Sequence, residues 1–258
     1  MSISTSLPPK SQIVYPEDDG EPMAENTVQF RWIVTVKEGL ERVFRDRPDV
    51  FVAGDLLWYP VEGHPETRQA PDAMVVFGRP KGDRGSYMQW VEGGIAPQVV
   101  FEILSPGNRL KKMVMKFDFY QRHGVEEYYV YDPESFELDG WKRAGDKLEE
   151  IDEMNGWVSP RLGVRFDLSQ GELILIDPAG QRFLTFGELA LERDAIAQER
   201  DAVVQERDTV AQERDTIAQE RDAIARERDA IERELSTARE RAERLAAQMR
   251  SLGVEPHS

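Results

Sequence analysis

From Glu192 onward the chain repeats itself. The seven-residue unit ERDAIAQ recurs almost unchanged six times, to about Arg233. Ile196, Val203, Val210, Ile217, Ile224 and Ile231 therefore fall seven residues apart. A sustained heptad of this kind specifies a long helix. After Ile231 the apolar spacing alternates between four and three, through Leu235, Ala238, Ala242, Leu245, Met249 and Leu252. That run sets the register. The Ile/Val stripe occupies position d, while Leu235, Ala242 and Met249 occupy position a. Upstream, a is arginine in every unit from Arg193 to Arg228, and g is glutamate from Glu199 to Glu227. A d seam of Ile and Val with Arg at every a is a weak coiled coil. Each Arg can lay its stem over the seam and pair with a neighbouring Glu. The expectation is a homo-oligomer paired through this C-terminal helix. A docking arm for another protein and a solvated helix that never pairs are the alternatives.

The remainder of the 258 residues is long enough for one large domain. A hydrophobic fraction of 40% and an aromatic fraction of 9% supply a real core. The net charge of −16 excludes a protein that coats nucleic acid through its overall field, but not one with a local basic track. There are no cysteines, which excludes disulfide scaffolds, thiol catalysis and Cys-built zinc sites. The only histidines are His64, His123 and His257, and the last lies on the tail, which argues against a three-His metal site. No run approaches the roughly 18 apolar residues that span a bilayer. The N-terminal MSISTSLPPKSQ has no apolar signal core, so the expected compartment is the cytoplasm, with no membrane partner.

Residues 1–22 are rich in Ser, Pro and acidic side chains and read as a flexible arm. Phe30, Ile33, Val34, Val36, Leu40, Val43 and Phe44 are spaced for a helix over 24–47, ended by Pro48. Strand-like runs follow: VFVAGDLLWYP (50–60), DAMVVFG (72–78) and QVVFEIL (98–104). The last is apolar on both faces, the pattern of a strand in the middle of a sheet. A helix fits 109–123, stopped by Gly124, and EYYVYD (127–132) is a fourth strand closed by Pro133. FELDGWKR, KLEEID, VRFDL and ELILID then read as hairpins. The order predicts a mixed α/β (α+β) domain over about 23–186, then a helix over 187–252 and a short tail at 253–258.

The strongest chemical signal is acidic. Asp72 opens the second strand after Ala-Pro, and Glu102 lies inside the apolar third strand. A carboxylate there is costly unless it is paired or bound to a cation. If the two strands are neighbours, both carboxylates converge at one end of the sheet, as a hard divalent cation such as Mg²⁺ requires. Lys116, on the following helix, can reach the same place and stabilise charge on a phosphate. Asp72 as a turn cap and Glu102 in a structural ion pair are the plain alternatives. Arg109, Lys111, Lys112, Lys116 and Arg122 form a basic cluster within fourteen residues. Beside a metal site they make a phosphate track; alone they read as a solvated helix face. Ser105 has no nearby His and no GxSxG around it, which argues against a serine hydrolase. A two-carboxylate glycoside hydrolase would need sugar-stacking aromatics beside both acids, a part Trp58 or Trp90 could fill.

Taken in order, YPEDDGEPMAEN (15–26), APDAMVVFG, PQVVFEILSPGNR and KFDFYQRHGVEEYYVYDP resemble the Uma-type endonuclease family of the PD-(D/E)XK, restriction-endonuclease-like superfamily. The resemblance covers about 15–180 and is most specific over 97–133. It implies a restriction-endonuclease-like mixed sheet core and a Mg²⁺-dependent nuclease acting on nucleic acid, with DNA the expected substrate. Asp72 matches the Asp of the PD motif, and Glu102 the acidic residue of the next strand. The motif lysine would fall at Leu104; Lys116 matches the helix lysine that replaces it in this family. Glu25 matches an N-terminal acidic position that adds a metal ligand. Lys112 stands where many members carry Asp. A non-cleaving member that serves as an interaction platform, assembled by its coiled coil, is the rival reading.

Overall fold

The computed structural model describes residues 13–18, 20, 22–107 and 110–251. The chain divides into two compact units, Met1–Leu189 and Ala190–Ser258.

The first unit opens with helix α1 (Thr27–Val43). Asn26 caps it, its side chain accepting from the Gln29 N–H. There follow β1 (Val50–Ala53), β2 (Trp58–Tyr59), β3 (Ala73–Phe77), β4 (Tyr87–Met88), β5 (Val99–Ile103), α2 (Leu110–Arg122) and β6 (Glu127–Asp132). Then come β7 (Glu137–Ala144), β8 (Lys147–Glu150), β9 (Arg165–Asp167) and β10 (Ile174–Ile176). Six strands form one mixed sheet in the order β1-β3-β5-β6-β7-β8. Only β5 and β6 run parallel within it, joined by α2 as the crossover helix. β2–β4 and β9–β10 are separate two-stranded pieces.

Side chains alternate across this sheet with period two, and each face has its own core. Val75, Val99, Phe101 and Tyr129 pack with Ile33, Val36 and Leu40 of α1. Met74, Val76, Val100 and Tyr128 face the other way, toward Tyr120 of α2 and Trp58. Every residue of β5 is buried. Glu102 has the parity of Val100, so it belongs to the α2 face.

The run read as one strand over 50–60 is two. Gly54 and Asp55 break it, and Asp55 takes a left-handed backbone at φ 48°. The two-residue β4 carries too little pattern to be read. α1 is shorter than 24–47, ending before a turn over 44–46, and Phe30 is 49% exposed rather than part of the core.

The tail is helix α3 (Phe186–Ser251). Thr185 and Glu188 form a reciprocal cap at its start: the Thr185 N–H donates to the Glu188 carboxylate, and the Glu188 N–H to the Thr185 hydroxyl. None of its described residues is buried, and the Ile/Val stripe stands open, with Ile224 67% exposed. Leu252 and residues 1–12 lie outside the described residues. No described helix is long and apolar enough to cross a membrane.

Candidate active site

β3 and β5 pair antiparallel with Ala73 opposite Phe101. Continued by one residue beyond β3, this register sets Asp72 against Glu102. Directly opposed residues of an antiparallel pair share a face, with Cβ atoms about 4.5–5.5 Å apart. Both side chains therefore point to the α2 side. Asp72 is 7% exposed and Glu102 3%. The Ile103 N–H donates to Asp72 Oδ2 at 2.6 Å, tying the first carboxylate to the strand that carries the second.

Helix α2 closes over this pair. Lys116 Nζ donates to Glu102 Oε2 at 2.5 Å, and the Tyr120 hydroxyl donates to Glu102 Oε1 at 2.5 Å. Lys116 and Tyr120 are four residues apart, hence on one stripe of the helix. Burial pushes the Asp72 carboxyl up to about 8; the charge of Glu102 adds to that, and Asp55 contributes in the same direction. Burial opposes the charge on Lys116, but Glu102 and Asp72 outweigh it and raise its pKa. Burial also raises the Tyr120 hydroxyl well above its ordinary range, again helped by Glu102, so it stays a donor.

A cavity of about 390 Å³ opens onto these groups, and Glu25, Asp55, Asp72, Glu102, Lys112 and Lys116 are among its lining residues. Glu25 enters from the segment before α1 and accepts from Ser105 Oγ at 2.5 Å. Gln29 holds that segment to the site: it accepts from the Glu25 N–H and donates to the Ile103 carbonyl at 2.9 Å. Gly107 lies so close to the Glu25 carboxylate that a Cβ there would collide with it.

Residues 19–170 match the family Uma2, described as "Putative restriction endonuclease". The chain belongs to the Uma2 family. Five chains of solved structures also match. One is from Anabaena variabilis, described as "a putative nuclease belonging to DUF820", at 16% identity and a TM-score of 0.40. That likeness covers 56% of this chain and 79% of the other. No curated protein matches.

In this Uma2 chain the fold brings Asp72, Glu102, Lys116 and Glu25 to one cavity. The basic cluster is divided. Lys112 lines the cavity, Lys111 is exposed outside that lining, and Arg122 is bonded to Asp118 at 2.6 Å on the solvent face. Arg109 lies outside the described residues. Among the described residues, no three acidic or His side chains gather closely enough to form a ready-made metal cluster, so Glu25 does not complete one with Asp72 and Glu102. Neither tryptophan faces the cavity. Trp58 is fully buried against Phe119 and Tyr120, and Trp90 packs on Tyr15, which removes the stacking surface a glycoside hydrolase needs.

Two residues were missed. Tyr120 carried a usable signal, its four-residue offset from Lys116. Asp55 carried none, because its place in the cavity follows from the break between β1 and β2.

Proposed function

We propose that this chain is a Mg²⁺-dependent endonuclease that hydrolyses phosphodiester bonds in nucleic acid, with DNA as substrate. The observation that carries this reading is the facing pair Asp72 and Glu102, buried beside a cavity, with the Lys116 ammonium bonded to Glu102. Burial keeps a proton on Asp72 up to about pH 8, and the charge of Glu102 beside it adds to that, so negative charge is in excess once both acids ionise. A divalent cation relieves that excess, and an all-oxygen donor set suits Mg²⁺. Asp72 and Glu102 would hold it, with Glu25 nearby. When bound, the ion supplies an acidified water and neutralises charge on the scissile phosphate.

The chain's own residues do the rest. Tyr120 and Lys116 fix the two oxygens of Glu102, so the carboxylate is oriented before substrate arrives. Lys116 keeps its proton at neutral pH and offers positive charge to the phosphate as it gains charge in the transition state. Asp72 must release its proton to act as a ligand, so cation and proton compete there. Lys112, with Lys111 and Arg109 earlier on the same segment, supplies the positive track for the phosphate backbone.

The test is cleavage of plasmid and single-stranded substrates with Mg²⁺ and with EDTA, by wild type and by Glu102→Gln. Wild type should cut only with the metal. The variant should lose at least about 100-fold in rate, the scale expected when one preorganised electrostatic group is removed. Full activity in Glu102→Gln would remove these residues from the reaction. No cleavage by wild type on any substrate would make the chain a binding platform instead.

A further inference from the structure

Helix α3 is 66 residues long, yet its repeats lack the usual devices of a solitary helix. A lone polar helix is held by opposite charges three or four residues apart. Between Arg193 and Arg221 there are no such pairs: Glu, Arg and Asp always occupy consecutive positions, and their i±3 and i±4 neighbours are uncharged. The ion pairs that do form there join adjacent residues, such as Arg200 with Asp201, both largely exposed. The apolar stripe also keeps a strict seven-residue spacing. On a straight helix that stripe drifts about 20° per heptad, and it stays aligned only where a helix supercoils on a partner.

We propose that α3 pairs with a second copy of itself as a parallel, in-register, two-stranded coiled coil. Charge selects the orientation. In a parallel pair, each Arg at a packs beside the g residue that precedes the matching a on the other chain. Arg200 then reaches the partner's Glu199, and the same contact recurs in every unit. In an antiparallel pair, g faces g, so Glu would oppose Glu along the whole repeat, and the apolar seam from Leu235 to Met249 would be taken away from its own counterpart. The register has a separate source. Because the repeats are nearly identical, sliding by one unit changes little within them. Sliding does move Leu235 from opposite its own counterpart to opposite Arg228 or Ala242. The seam from Leu235 to Met249 therefore sets the alignment, and the Arg–Glu ladder follows it. This pairing does not depend on the nuclease reading.

The chain contains no cysteine, so an introduced thiol is unique. Ile196→Cys and Ala238→Cys both place it at d, near opposite ends of α3. In full-length protein, each variant alone should oxidise to a covalent dimer. A mixture of the two should give no linkage between unlike chains. Sedimentation of the wild type should show a dimer at tens of micromolar that loosens several-fold between low and high salt. A monomeric wild type, or linkage only between the unlike variants, overturns the proposal. Linkage at Ala238→Cys alone restricts pairing to the seam and overturns the ladder. A dimer indifferent to salt does the same.

Discussion

Without a cation, Asp72 holds its proton far above the ordinary value of 3.8, up to about 8, through burial and the charge of Glu102. An unfolded chain releases that proton near its ordinary value, so between these limits the folded chain binds more protons. Stability should fall as pH rises from about 4 to 8 and level off beyond. The loss is at most about 1.4 kcal/mol per pH unit from this group. Asp72→Asn keeps the shape and can still accept from the Ile103 N–H, but it removes the charge. Thermal melts of metal-free protein should show the variant with a flatter pH profile and a melting point several degrees higher near pH 8. Mg²⁺ should raise the melting point of the wild type and not of the variant. A variant less stable at every pH would mark the carboxylate as structural. The acids themselves were legible, because Glu102 interrupts an apolar strand and Asp72 follows a Pro at a strand start. Lys116 could be read as within reach of the pair, but a lysine on an amphipathic helix says little alone, and the family resemblance singled it out. That Tyr120 shares Glu102 with Lys116 depends on how α2 docks, which no local pattern encodes.

At the level of elements, β6 begins and ends where its sequence indicates, because EYYVYD lies between Gly124 and Pro133 and all but its last residue are buried. The strand order was not legible. It depends on α2 crossing over to make β5 and β6 parallel while β3 flanks β5 on its other side. The docking of α1 rests on a similarly non-local detail. Gly39 faces the ring of Phe183, which comes from beyond β10 and leaves no room for a Cβ. Gly39→Ala should therefore destabilise, although alanine favours a helix by up to about 1 kcal/mol. Overpacking of this kind costs about 1–3 kcal/mol. The expected outcome is a lower melting temperature, partly restored when Phe183→Leu makes space. An unchanged or raised melting point would show that the ring moves aside freely.

For the whole chain, the net charge of −16 is shared by both parts: from residue 191 on, 17 acidic residues outnumber 12 basic ones, and the rest of the chain is acidic as well. Helix α3 was legible in full because its repeat is a local pattern. The near-identity of the heptads has a further consequence. Removing residues 200–206 takes out one whole unit and leaves the stripe in phase with the seam at Leu235, so self-association measured by sedimentation should persist. Removing only 200–202 shifts that phase and should weaken it. The helix thus behaves as a spacer with a fixed step: it can lengthen or shorten by about 10 Å at a time, seven residues of helical rise. Its length is free to vary in whole steps, while its phase is held.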